Sequence, residues 1–172
     1  MKKSVVDLSD LQEIAPFFKT KFGIFLGKII IKWLGIKKVN DIHAKHCHLR
    51  GADFTTALLQ DPLMDIKYKV HNAELLDTLP EGAFITISNH PFGHIDGIML
   101  IDIFASRRND FAVMVNGVLT KIGAMEDNFI SVQPDSKNRG ANVANVNGVR
   151  TSLERLKSGH PMGFFPAGAI SF

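Results

Sequence analysis

The sequence predicts an α/β fold: a mixed, largely parallel sheet flanked by helices, preceded by an N-terminal helical segment. Three observations predict it. From residue 63 onward, short apolar runs of β type alternate with helical stretches, the pattern of a layered α/β domain. Gly- and Pro-containing turns separate these runs, with no internal repeat or low-complexity linker between them. The chain has 172 residues, 45% of them hydrophobic and 22% charged, enough for one sizeable core. Residues 1–62 read as a helical, membrane-interfacial segment and residues 63–172 as the α/β domain.

In chain order, Ser9-Asp10-Leu11 is a helix start, with a cap residue ahead of apolar positions. Residues 17–34, FFKTKFGIFLGKIIIKWL, follow. At about 100° per residue, Lys21, Lys28 and Lys32 share one helical face. Phe22, Leu26, Ile29, Ile30 and Trp33 spread over much of the remainder. Such a helix can lie in a membrane interface; it can equally be a core helix on a sheet with solvated lysines. Residues 53–60 form a short helix. Residues 66–70 and 83–88 are strands, with Pro80-Glu81-Gly82 as the turn before the second. Helical character over residues 96–106 leads to a strand at 111–115 and a helical or loop connection at 121–126. A strand at 129–132 precedes a polar loop, 133–142. A helix over 143–158, with Leu153 and Leu156 on its buried side, stops at Gly159. An apolar strand at 163–165 runs into Pro166-Ala167-Gly168.

Composition narrows the function. A net charge of +3 is too mild for a dedicated nucleic-acid binder. The single cysteine, Cys47, excludes an internal disulfide and suits a reducing compartment. No stretch of about 18 uncharged apolar residues reads as a transmembrane helix. Met1-Lys2-Lys3-Ser4 is basic, but Asp7, Asp10 and Glu13 fall where a signal peptide needs apolar residues. These features point to an intracellular protein. His43, His46, Cys47 and His48 cluster without a matching second half, so they read as a polar helix end and not a metal site. Nothing near Cys47 activates it as a nucleophile.

The chemistry concentrates in residues 83–100, AFITISNHPFGHIDGIML. A buried-type strand breaks into Asn89-His90-Pro91, and Asp96 follows within one short turn. In open α/β sheets, sites gather beyond the carboxyl ends of strands. A histidine there, oriented by a carboxylate, can take a proton from a hydroxyl. Gly93 and Gly97 allow close backbone approach. The ends of the strands at 129–132 and 163–165 can meet this turn. Taken alone, the segment is also an ordinary strand-to-helix turn with Asp96 stabilising the helix start. No G-x-S-x-G elbow, Walker loop or G-x-G-x-x-G after a strand competes with it.

The motif Asn89-His90-Pro91-Phe92-Gly93-His94-Ile95-Asp96-Gly97 resembles the first motif of the glycerolipid (lysophosphatidic-acid-type) acyltransferases, closest to their hemolysin-like, amino-acid-lipid branch. The similarity covers roughly residue 66 to the end. It implies a glycerolipid acyltransferase-like fold, with His90 as the base that deprotonates an acceptor hydroxyl and Asp96 as its orienting partner. Asn89 and Gly93 shape the turn, and His94 is a neighbouring imidazole that supports the site. The resemblance further implies an acyl thioester co-substrate, on acyl carrier protein or coenzyme A, and no metal or other cofactor. The partners it implies are a membrane lipid acceptor and the membrane surface, on the cytoplasmic face of the inner membrane.

Three departures qualify this resemblance. Five residues separate His90 from Asp96 where the common spacing is four, as in the hemolysin-like branch. The strand expected to end in an aspartate and an arginine reads Phe129-Ile130-Ser131-Val132, which leaves Ser131, with Lys137 and Arg139 in the next loop, to face the acceptor. The third motif, usually Pro-Glu-Gly, is Pro166-Ala167-Gly168, expected to border the acceptor site. Without the arginine's bidentate fork, a phosphate-bearing acceptor is less well served than a lyso-amino-acid lipid. The rival reading is a non-catalytic lipid-binding or scaffolding relative of the same fold. The chain stops directly after the third motif, as a C-terminally truncated domain would.

Overall fold

The computed structural model describes residues 4–33, 35–132, 143–168 and 170. Its core is a four-stranded sheet of β1 (Ile85–Ile87), β2 (Ala112–Asn116), β3 (Phe129–Val132) and β4 (Met162–Phe164), in the order β1-β4-β2-β3. Every pairing among the described residues is parallel, in line with the largely parallel sheet expected. In register, Ile85 faces Met162, Ala112 also faces Met162, and Val113 lies between Phe129 and Gly163. Parallel strands need crossover connections. Helices α5 (His94–Ala105) and α6 (Val143–Lys157) lie in two of them. Two 3₁₀ turns, Gly117–Lys121 and Gly123–Asn128, carry the chain from β2 to β3.

The main core gathers Leu100, Ile101 and Ala105 of α5 with Phe111, Val113 and Val115 of the β2 region and Ala124 and Met125. Phe54 of α4 (Gly51–Gln60) belongs to it as well, so this helix of the N-terminal third packs into the α/β body. On the other side, Leu156 of α6 packs with Ala112, Ile130 and Met162. Leu153, expected to be buried, is 52% exposed. Among the described positions of α6, Gly148 and Ser152 are the buried ones, because the helix backbone lies against the Ser131 carbonyl: a Cβ at Gly148 would come within 2.5 Å of it.

At the amino ends of the strands, Arg108 grips Asp110 through Nε and Nη2, both at 3.0 Å, and donates to the carbonyls of Pro80, Gly82 and Gly159. His160 Nδ1 lies 2.8 Å from the same carboxylate. This clamp joins the segments entering β1, β2 and β4. Burial pushes the Asp110 carboxyl up, but the bonds from Arg108 and His160 outweigh it and hold it below its ordinary value.

The strand expected over residues 66–70 does not form. That segment has no regular secondary structure and pairs with no strand among the described residues: the Ile66 amide bonds to Leu59 O at 3.0 Å, and the Tyr68 hydroxyl bonds to Asp102. Thr55 and Thr56 reach the same carboxylate, tying α4 to α5. Burial and the Asp102 hydrogen bond raise the Tyr68 hydroxyl far above its usual range.

The N-terminal helices α1 (Leu8–Ile14), α2 (Lys21–Trp33) and α3 (Ile36–His46) are held by local caps and one bridging amide. Asp7 and Asp10 form a reciprocal cap at the start of α1, and Asn40 of α3 bonds to the amides of Val5 and Val6 and the carbonyl of Val6. Residues 17–34 are not one helix, since a 3₁₀ turn, Pro16–Lys19, precedes α2. The buried face of α2 is glycine: a Cβ at Gly23 would fall 2.0 Å from Phe17 O, and one at Gly27 2.7 Å from Leu8 Cδ1. Its aromatics point away from the body, with Phe22 66% and Trp33 85% exposed. Among the described residues, no helix is long and apolar enough to cross a membrane.

The histidine cluster ends α3. His46 Nε2 and Lys45 Nζ each lie 2.8 Å from Asp61, and His43 packs edge-on to Phe54. The bonds from Lys45, the Leu63 amide and His46 hold the Asp61 carboxyl well below the usual carboxylate range. Among the described residues, no three His, Cys, Asp or Glu side chains are grouped to hold a metal.

Gly163 tests the packing of this core. A Cβ there would sit 2.8 Å from Leu100 Cδ2 and 2.9 Å from Phe111 Cζ. Gly163→Ala is expected to lower stability by about 1–3 kcal/mol through overpacking. Chemical denaturation measures this, and an unchanged midpoint would contradict the tight α5–β4 contact.

Candidate active site

The site begins where β1 ends. The Ser88 amide still bonds to Phe164 O at 3.1 Å, and the chain then turns through residues 89–93 into α5. Gly93 closes the turn at φ 63°, ψ −124°, a backbone region open essentially to glycine alone. The Asp96 amide bonds back to Gly93 O at 3.1 Å. Asp96 therefore stands in the first turn of α5, where the helix dipole favours a carboxylate.

One oxygen of that carboxylate meets two groups. Asp96 Oδ2 accepts the Phe92 amide at 2.8 Å and lies 3.2 Å from His90 Nδ1. The side chains of His90 and Asp96 are 21% and 10% exposed, sheltered but reachable. Nδ1 is thus the ring nitrogen beside the carboxylate. Phe165 covers one face of the imidazole, with ring centroids 4.4 Å apart and planes 33° off parallel.

Phe165 opens a second turn. The Gly168 amide bonds to Phe165 O at 3.0 Å, with Pro166 next in the turn and Gly168 at φ 63°. Pro at the second position and Gly at the fourth are the residues such a turn prefers.

His90 borders a cavity of about 680 Å³ at the carboxyl end of the sheet. Its wall is mainly apolar: Met114, Leu119, Ile122, Met125 and Phe129 contribute, and among the described residues the polar side chains lining it are His90, His94 and Asn116. Volume and lining are those of a site for a largely apolar ligand with a few polar groups at one end. The arrangement can take a proton from a hydroxyl placed at the mouth while an apolar chain fills the interior.

The expected site residues divide clearly. His90, Gly93, Pro166 and Gly168 line the cavity beside His94, and Asp96 stands behind His90. Asn89 and Ala167 are exposed and outside the lining, and so is Ser131 on β3. Phe129 and Val132 of the same strand line the cavity. Lys137 and Arg139 lie outside the described residues. Sequence reasoning missed Phe165 as a partner of His90, and it missed the wall after β2. That wall had a signal: Leu119, Ile122 and Met125 recur every three residues, the period of a 3₁₀ helix.

A family model described as acyltransferase matches residues 10–172 of the chain. No curated protein matches it, and no solved structure does.

If the cavity takes an apolar chain, narrowing it must weaken binding. Ile122→Trp is expected to lower the affinity for a fluorescent fatty acid about tenfold, the scale of a modest steric penalty. Fluorescence titration checks this, and an unchanged affinity would put the probe elsewhere on the protein.

Proposed function

The chain belongs to the acyltransferase family, and from this premise we propose that it moves a fatty acyl group from an acyl thioester to the hydroxyl of a lysolipid. The observation that carries the reading is the close approach of Asp96 to His90, which lines the apolar cavity. The acyl chain enters the cavity, which brings its thioester carbonyl to the mouth. His90 Nε2 takes the proton from the acceptor hydroxyl as the oxygen attacks the carbonyl carbon. A C–O bond forms, the C–S bond breaks, and the imidazolium returns its proton to the leaving thiolate of acyl carrier protein or coenzyme A. Asp96 keeps the imidazole in the tautomer that presents Nε2 as the acceptor. Among the described residues, no Lys or Arg lines the cavity. The strand at 129–132 carries no arginine in its sequence, which favours an acceptor such as a lyso-amino-acid lipid over one that needs a guanidinium fork on its phosphate.

An apolar acceptor and an apolar donor chain suit an enzyme working peripherally at a membrane, on the cytoplasmic face of the inner membrane where the thioesters are found. Helix α2 supports that placement. It carries exposed Phe22, Phe25, Ile29 and Trp33 along one side, with Lys21, Lys28 and Lys32 beside them. Aromatics that enter the headgroup region and lysines that meet anionic lipids are the two halves of interfacial binding.

Purified protein assayed with an acyl thioester and lysolipids is expected to form the acylated product, and His90→Ala to lower kcat/KM by about 10²–10⁴-fold. Equal turnover by both proteins would favour a non-catalytic, lipid-binding role. In vesicle sedimentation with anionic lipid, each of Lys21→Glu, Lys28→Glu and Lys32→Glu should weaken binding by about fivefold or more, from roughly 1 kcal/mol per lysine. Binding that is indifferent to all three would remove α2 as the membrane contact.

A further inference from the structure

We propose that Phe165 is a positioning residue for His90: its ring face fixes the plane of the imidazole and stabilises the imidazolium formed when the acceptor hydroxyl loses its proton. The inference rests on the reading of His90 as general base. His90 lies in the turn after β1, outside any helix or strand, and its ring must be held by side chains. Asp96 stands at one edge of that ring, its Oδ2 3.2 Å from Nδ1. Phe165 adds a contact on the ring's face, at a centroid distance of 4.4 Å, which restricts rotation of the imidazole.

Phe165 is itself well fixed. It follows directly on β4, its carbonyl closes the turn to Gly168, and its ring packs against the main core. Helix α5 bounds the ring on another side, since a Cβ at Gly97 would lie 4.0 Å from Phe165 Cε2. Asp96, the neighbour of Gly97, holds the edge of the same imidazole. The two turns of the site thus hold one histidine between them, by edge and by face.

The chemistry gives the contact a direction. An aromatic face attracts a cation within about 6 Å of its centroid. The imidazole is neutral while substrate binds and positive once the hydroxyl proton has reached Nε2. The attraction therefore grows toward the transition state and acts on kcat, not on KM.

Phe165→Leu keeps apolar bulk and removes the π face, whereas Phe165→Tyr keeps both. The leucine variant is expected to lose about three- to tenfold in kcat, with KM for thioester and lysolipid within about twofold of wild type. The tyrosine variant is expected to recover the activity. In wild-type protein the His90 ring protons should resonate upfield through the Phe165 ring current, and this displacement should vanish with leucine and persist with tyrosine. Wild-type kcat in the leucine variant, alongside an inactive His90→Ala, would overturn the role of Phe165 while leaving the base in place. A tyrosine variant as slow as the leucine one, or wild-type His90 protons without upfield displacement, would overturn it too. Full activity in His90→Ala would instead remove the general base on which the inference rests.

Discussion

The site depends on one carboxylate oxygen. Asp96 Oδ2 receives the Phe92 amide and faces His90 Nδ1 at the same time. The first contact holds the shape of the turn, and the second sets the carboxylate 3.2 Å from the imidazole. Because both end on a single atom, the turn cannot deform without moving the histidine. The position also suits the charge: a carboxylate in the first turn of α5 meets the unpaired amides and the positive end of the helix. The chain reaches this geometry only by passing through Gly93 in a conformation that a side chain would strain.

The parallel sheet separates stability from chemistry along the strand direction. At the amino ends, Arg108, Asp110 and His160 close a polar clamp around the segments that lead into three strands, under a stack of Phe84, Phe104 and Phe111. At the carboxyl ends the strands give way to turns, and the space between them is the cavity. His90 after β1 and Phe165 after β4 come together because β1 and β4 are neighbours, with Ile87 beside Phe164. Residues 75 positions apart in sequence thereby share one imidazole.

Much of this was legible in the sequence, and its limits have physical causes. Strands at 83–88, 111–115, 129–132 and 163–165 fall within a residue or two of their places, because apolar runs between turn residues are strong local signals. His90 and Asp96 were legible for the same reason: a strand, a turn and a helix start are all local. Residues 66–70 have the composition of a strand, but strand formation needs a partner, and Tyr68 goes to Asp102 instead. Leu153 shows a different limit, since which face a helix buries depends on how closely its backbone approaches the sheet, and Gly148 sets that approach. Helix α2 reads as an amphipath with either an apolar or a lysine side outward. Only the tertiary contact shows that glycine, not the aromatic side, is the packed face. The contact of Phe165 with His90 joins two distant turns and left no mark in the local pattern.

In the proposed reaction, an apolar chain lies in the cavity with its thioester at the mouth, within reach of a hydroxyl held by His90. The most direct measurement is a structure of the protein with a non-hydrolysable acyl thioester analogue. The account predicts the acyl chain among Met114, Ile122 and Met125, with the carbonyl carbon close enough to His90 Nε2 for one hydroxyl oxygen to bridge them, roughly 3 Å from each. An acyl chain bound outside this cavity, or a carbonyl turned away from His90, would contradict it.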